Sequence, residues 1–274
     1  MFSGSQNELQ LDYQLMSKEG LAINYQQILI HVAIIFGMLL IVPIICILLL
    51  SQSGGKLQTA VMDLIPGYGG RLILLPGVVI HELSHLIAAK LFLIRVTEVK
   101  LFIFDPSSLT LGYVKSAYNP NSLWQRLGET ATGIAPLFGI TGALSGIYAL
   151  MFHPSVQVRL DHSQPVLQQL QVLGRALGES VISSLNSAKG LMFIAIMIIL
   201  LTGFALSSAD LQTSLVGLGP LIGLLLLLAV ASIRFPIILR AAMVISVVTV
   251  VVTCVLLGLT IIGTILIRCI QLIV

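Results

Sequence analysis

The sequence predicts an all-α polytopic membrane protein with about six transmembrane helices and a small β-hairpin after the second. Three observations carry this expectation. Of 274 residues, 57% are hydrophobic and only 9% charged, and the mean hydropathy of +1.05 lies far outside the range of soluble domains. Crossing about 30 Å of hydrocarbon takes roughly 20 helical residues, and apolar runs of about that length recur at 28–51, 72–94, 130–152, 190–207, 215–233 and 237–267. Between the second and third runs, residues 95–115 change character, with the β-rich stretches VTEVKLFIF and LTLGYV separated by Asp105, Pro106, Ser107 and Ser108.

The elements follow in order. Residues 1–27 are polar and of mixed charge, and the apolar run after them is too long for a signal-peptide core, so it reads as a retained helix. The second run contains the ionisable cluster considered below. The third, 130–152, is rich in small residues, and Gly133, Ala135, Gly139, Gly142 and Gly146 would let helices approach closely. The connection 153–189 has Pro165 at a helix start and apolar residues at 166, 167, 170, 173, 177, 181 and 182, the spacing of an amphipathic helix on a membrane surface. Residues 190–274 hold the last three runs, and the final one is long enough to tilt or to extend beyond the bilayer. Cys46, Cys254 and Cys269 lack metal or redox spacing and read as small hydrophobic filler. A net charge of +3 without a basic block or stacking aromatics offers no nucleic-acid surface, so the expected surroundings are the lipid bilayer.

The chemistry sits in the second run, LLPGVVIHELSHLIAAKLFLI, residues 74–94. An ionisable group in the middle of a spanning helix costs about 2.5 to 3.5 kcal/mol even on lenient insertion scales, so it calls for a functional reason. His81 and His85 are four apart, which on an α-helix stacks both imidazoles on one face, one turn apart, as two nitrogen ligands for one metal ion. Glu82 lies off that axis yet within reach of a water on the same ion. His-Glu-Leu-Ser-His thus fits HExxH, the metallopeptidase helix pattern. The bland alternative, a polar cluster joining helices, needs neither this spacing nor these residue types.

An HExxH inside a transmembrane run, followed at once by a hairpin ending in LGYVKS and then by ATGIAPLFGITGAL at 131–144, resembles the site-2 protease family of intramembrane zinc metalloproteases. The resemblance covers about residues 72–150 and thins beyond. It implies a membrane-associated hairpin, a Zn2+ cofactor and a membrane-protein substrate with a transmembrane helix. Such a chain would be a divergent member, because the 153–189 connection is too short for the PDZ domain many relatives insert. The family's third ligand usually comes from an Asp-Gly pair on a later helix, and this sequence has none. The nearest equivalent is Asp210 in GFALSSADLQTSL, where Gly203 and two serines could break the helix and turn the carboxylate inward; the alternative is a helix N-cap. Glu129 ranks next, although an acid near a helix start is expected from the dipole alone. Asp105 reads as turn chemistry, and Glu179, His153 and His162 fall in the connection after the third run.

The expectation is therefore a zinc metalloendopeptidase acting in or near transmembrane segments, with His81, His85 and Asp210 as ligands and Glu82 as general base. Leu101, Phe102 and Ile103, in the apolar run VKLFIF, would offer a strand edge to an unwound substrate. The rivals are a membrane metal-binding or transport protein and an inactive scaffold, and a scaffold has no use for Glu82. Lys and Arg divide six against seven between the two sides, so charge does not set orientation. The resemblance implies a multi-pass protein of a bacterial or archaeal cell membrane, its site opening to the cytoplasm.

Overall fold

The computed structural model describes residues 25–108, 110–152 and 187–273, together with the single helical positions Gln168, Val172, Arg175 and Glu179. The polar segment 1–24 and the apolar positions expected to form the amphipathic helix of 153–189 lie outside the described residues.

The first expected span belongs to a 40-residue helical rod, Tyr25–Leu64. Its parts are α1 (Tyr25–Phe36), a π-helical turn (Gly37–Ile41) and α2 (Val42–Leu64). The wide turn has a local cause: Pro43 has no N–H to continue an α-helical ladder, and the Val42 N–H bonds to the Gly37 carbonyl instead. At 1.5 Å per residue the rod is about 60 Å long, roughly twice the hydrocarbon thickness, and its last turns carry Gln58 and Asp63. Gly67, at φ 75°, makes the corner into α3 (Tyr68–Leu91). That helix ends with Leu93 in the left-handed region at φ 58°, while the Ile94 N–H returns to the Ala89 carbonyl at 2.8 Å.

Strands β1 (Arg95–Lys100) and β2 (Tyr113–Ala117) then pair antiparallel, with Arg95 opposite Ala117 and Lys100 opposite Tyr113, and an irregularity between Val96 and Glu98. At their base Lys115 donates to Glu98 at 2.8 Å and the Tyr113 hydroxyl donates to the other oxygen, which holds the Glu98 carboxyl below its usual range. The expected long strand through VKLFIF is shorter than the composition suggests. Beyond Lys100, among the described residues, the bond from the Ile103 N–H to the Leu111 carbonyl at 2.6 Å continues the pairing, while Phe102 and Leu111 pack against the cluster of Val61, Leu74 and Val78.

The remaining helices are α4 (Leu123–Phe152), α5 (Ala188–Leu201) with a 3-10 turn (Thr202–Phe204), α6 (Ser208–Leu215), α7 (Leu218–Arg234) and α8 (Pro236–Gln271). All six apolar runs fold as helix, yet the count of six spans is not reached. Among the described residues, four helices are long and apolar enough to cross a membrane, and a fifth span exists if α5 and α6, bent by 62°, are one broken crossing. Helix α7 has 17 residues, about 26 Å, and falls short of the hydrocarbon core. The fold is thus mostly helical with one two-stranded sheet, and its apolar helices are compatible with a multi-pass membrane protein. The central packing joins Leu57 of α2, Ile140 of α4, Leu201 of α5, Phe204 and Leu256 of α8.

Close approach places α5 and α6 against the α3–α4 pair. A Cβ on Gly77 would lie 2.9 Å from the Ile199 carbonyl, and one on Gly133 would lie 2.5 Å from the Asp210 carbonyl. Of the expected small-residue stripe on α4, Gly133 and Gly139 make such contacts, whereas Gly142 and Gly146 have nothing within 4 Å.

Candidate metal centre

His81 and His85 project from one face of α3, as their spacing requires, with their Nε2 atoms 3.1 Å apart. Each ring is oriented by a backbone carbonyl from a neighbouring element. The Gly203 carbonyl lies 2.7 Å from His81 Nδ1, and the Thr132 carbonyl 2.7 Å from His85 Nδ1. A carbonyl can only accept, so the proton of each neutral imidazole sits on Nδ1 and each Nε2 turns a lone pair inward. Gly203 can supply its carbonyl because the 3-10 turn passes against Gly77 with no side chain between.

Asp210 completes the group. After the 3-10 turn the chain is extended at Ala205 and Ser207, and the Leu206 N–H is taken by Ser51 Oγ at 3.1 Å. Ser207 then caps α6: its Oγ accepts from the Asp210 N–H at 3.1 Å, and Asp210 Oδ2 accepts from the Ser207 N–H at 2.6 Å. The N-cap is therefore Ser207, and Asp210, three residues on, has its carboxylate turned toward the histidines. Its Oδ1 lies 3.2 Å from His85 Nε2 and its Oδ2 3.5 Å from His81 Nε2.

Two lone pairs and a carboxylate facing one another repel unless a cation lies among them. An ion with tetrahedral bonds of about 2.0–2.1 Å would separate two nitrogen ligands by roughly 3.3–3.4 Å, close to the 3.1 Å between the Nε2 atoms, and Asp210 presents one oxygen to each ring, at 3.2 and 3.5 Å. The residues present fit a metal ion: His81, His85 and Asp210 form a largely buried group able to hold one. They line a cavity of about 510 Å³, together with Glu82 and with residues 110–114 and Ser116 of the hairpin's second arm. Glu82 is buried on the same helix, and Gly112 sits so close that a Cβ there would lie 2.8 Å from the Glu82 Cγ. Thr132 Oγ1, also in the cavity wall, is buried without a hydrogen-bond partner among the described residues.

The other candidates lie elsewhere. Asp105 is at the exposed hairpin tip, accepting from Ser107 N–H and Oγ at 2.9 and 2.7 Å, the turn chemistry its sequence context suggests. Glu129 is buried and accepts from Ser116 Oγ at 3.3 Å, outside the three-residue group. Glu179 is an exposed helical position, and His153 and His162 lie outside the described residues. Leu101, Phe102 and Ile103 do not line the cavity; the opposite arm does. The carbonyls of Thr132 and Gly203 escape sequence reading because a backbone acceptor leaves no side-chain signal.

Gly133 gives a direct test of how α4 seats Asp210. Gly133→Ala should push α6 outward and weaken metal binding about tenfold, an overpacking cost within the usual 1–3 kcal/mol, whereas Gly142→Ala should leave binding unchanged. Metal titration of the two purified variants separates these outcomes, and equal affinities would contradict the packing account.

No protein-family model, no curated protein and no solved structure matches this chain. Fold and site together define a mostly helical, membrane-compatible protein with a buried His-His-Asp group able to bind a metal ion.

Proposed function

We propose that this chain is an intramembrane zinc metalloprotease, a divergent relative of the site-2 proteases, that hydrolyses peptide bonds in or near transmembrane segments of membrane proteins. The observation that carries the reading is the convergence of two imidazole lone pairs and the Asp210 carboxylate at a cavity whose wall also holds Glu82. When bound, a zinc ion supplies Lewis acidity, lowering the pKa of a coordinated water toward neutrality and polarising a carbonyl. His81, His85 and Asp210 would hold the ion, the two imidazoles oriented by the Gly203 and Thr132 carbonyls. Glu82 takes a proton from the attacking water and passes it to the leaving amine. The polar wall, including the orphaned Thr132 hydroxyl, admits the water that hydrolysis consumes.

The hairpin's second arm supports a peptide substrate in particular. Residues 110–114 line the cavity, and from Tyr113 onward they belong to β2, so an unwound substrate segment laid beside that strand would find backbone groups to pair with its own. This moves the expected docking edge from Leu101–Ile103 to the facing arm. In this reading the hairpin and the site would open to the cytoplasm of a bacterial or archaeal cell, as the family resemblance implies.

The test is cleavage of single-pass model substrates by the purified protein in detergent. A cut within or beside the transmembrane segment, abolished by a chelator and restored by zinc, is the expected result. A protein that binds one zinc ion and cuts none of these substrates would instead be a metal-binding or transport protein.

A further inference from the structure

A second cavity, of about 380 Å³, opens between α2 and α8 and is lined by Gly55, Lys56, Thr59, Thr264 and Arg268. The two helices run parallel here. Ser53 bonds to Thr260, a Cβ on Gly263 would meet Leu57 at 3.4 Å, and Gln271 Nε2 donates to the Ala60 carbonyl at 3.2 Å. Arg268 is held in place from two sides: its Nη2 pairs with Asp63 at 2.9 Å and its Nη1 donates to Gln271 Oε1 at 2.9 Å. Lys56 is exposed and has no hydrogen bond or ion pair among the described residues. Asp63 thus offsets one of two positive charges and leaves the other unanswered.

The surroundings set the depth of this cavity. No charged side chain interrupts α8 between Arg240 and Arg268, a rise of about 42 Å that matches a bilayer with its headgroup regions. The rod likewise carries no Asp, Glu, Lys or Arg from Tyr25 until Lys56. Both basic residues therefore stand where hydrocarbon gives way to headgroups. On the same helix faces, one to three turns deeper, lie the exposed apolar side chains Ile45 and Leu48 of α2 and Ile261 and Ile265 of α8.

We propose that this cavity binds the phosphate of an anionic phospholipid, with Lys56 and Arg268 on the phosphate oxygens and the acyl chains along the apolar stripe below. An unpaired ammonium at this depth is costly, and an anionic headgroup in a basic pocket between helices satisfies it. The Thr59 and Thr264 hydroxyls donate to the Gly55 and Thr260 carbonyls at 3.0 and 2.7 Å, and a rotation about χ1 redirects them to the headgroup. Free phosphate would engage the two charges and leave the stripe unused. The inference does not depend on the proposed hydrolysis.

The experiment titrates dioleoylphosphatidylglycerol into the purified full chain in neutral detergent and reads bound lipid by native mass spectrometry, with dioleoylphosphatidylcholine and inorganic phosphate as separate arms. Phosphatidylglycerol should fill one site about tenfold more tightly than phosphatidylcholine, and inorganic phosphate should not displace it. Lys56→Gln and Lys56→Met should each weaken phosphatidylglycerol binding about fivefold, Lys56→Arg should restore it, and Lys90→Gln, at the far end of α3, should leave it unchanged. Lys56 has no partner to lose, so the thermal midpoint of its variants in phosphatidylcholine should equal the parent's. Equal affinity for the two lipids, or parental affinity in Lys56→Gln, would overturn the site. Displacement by inorganic phosphate would overturn the lipid as its occupant.

Discussion

Glu82→Gln should keep the metal content of the parent protein and slow peptide hydrolysis by about 10² to 10⁴-fold, the usual contribution of a general base. Glutamine has nearly the size and polarity of glutamate, so packing against Gly112 and the cavity wall is preserved. Lost is the oxygen that accepts a proton. Because Glu82 follows His81 directly, about 100° around the helix, it borders the metal group without belonging to it. Metal analysis beside a cleavage assay reads both quantities. Cleavage at the parental rate would refute the assigned base, and a loss of metal would show that Glu82 acts in binding.

The second large effect falls on the ligands. His81→Ala, His85→Ala and Asp210→Ala should each lower metal affinity by more than the 10–100-fold that losing an outer partner typically costs, and activity should fall with it. Asp210 needs a finer comparison, because its carboxylate also accepts from the Ser207 N–H and so helps start α6. Asp210→Asn retains an oxygen for that bond. It should therefore keep the thermal stability that Asp210→Ala loses, about 1 kcal/mol for a cap, while both lose the metal. Glu129→Ala, outside the group, should spare metal binding. Metal retention in Asp210→Asn at parental affinity would remove Asp210 from the ligand set.

These predictions rest on two kinds of sequence signal, local and distant. The relation of His81, Glu82 and His85 is a matter of helical periodicity, so four residues of spacing suffice to place both imidazoles on one face. Asp210 lies far along the chain, and only the break signals around it, Gly203 and the serines, hint that the helix stops there. Which carboxylate oxygen faces which imidazole follows from the Ser207 cap, a tertiary detail. The hairpin's place was legible from β-branched residues around Asp105 and Pro106, but its register was not. The run LFIF has strand composition, and that composition does not reveal that Phe102 would pack against the cluster of Val61, Leu74 and Val78 while Arg71 captured the Ile103 carbonyl. Arg71 itself reads as an ordinary charged flank of an apolar run. The span count differs because hydropathy registers α5, α6 and α7 without their 62° bend or the shortness of α7.

The central claim is that two imidazoles and one carboxylate of this chain hold a zinc ion. X-ray absorption at the zinc edge of the purified, zinc-replete protein tests it most directly. The account predicts one zinc per chain with two histidine nitrogens and carboxylate oxygen at about 2.0–2.1 Å, lost in Asp210→Asn. A metal-free parent protein, or zinc bound without imidazole, would contradict it.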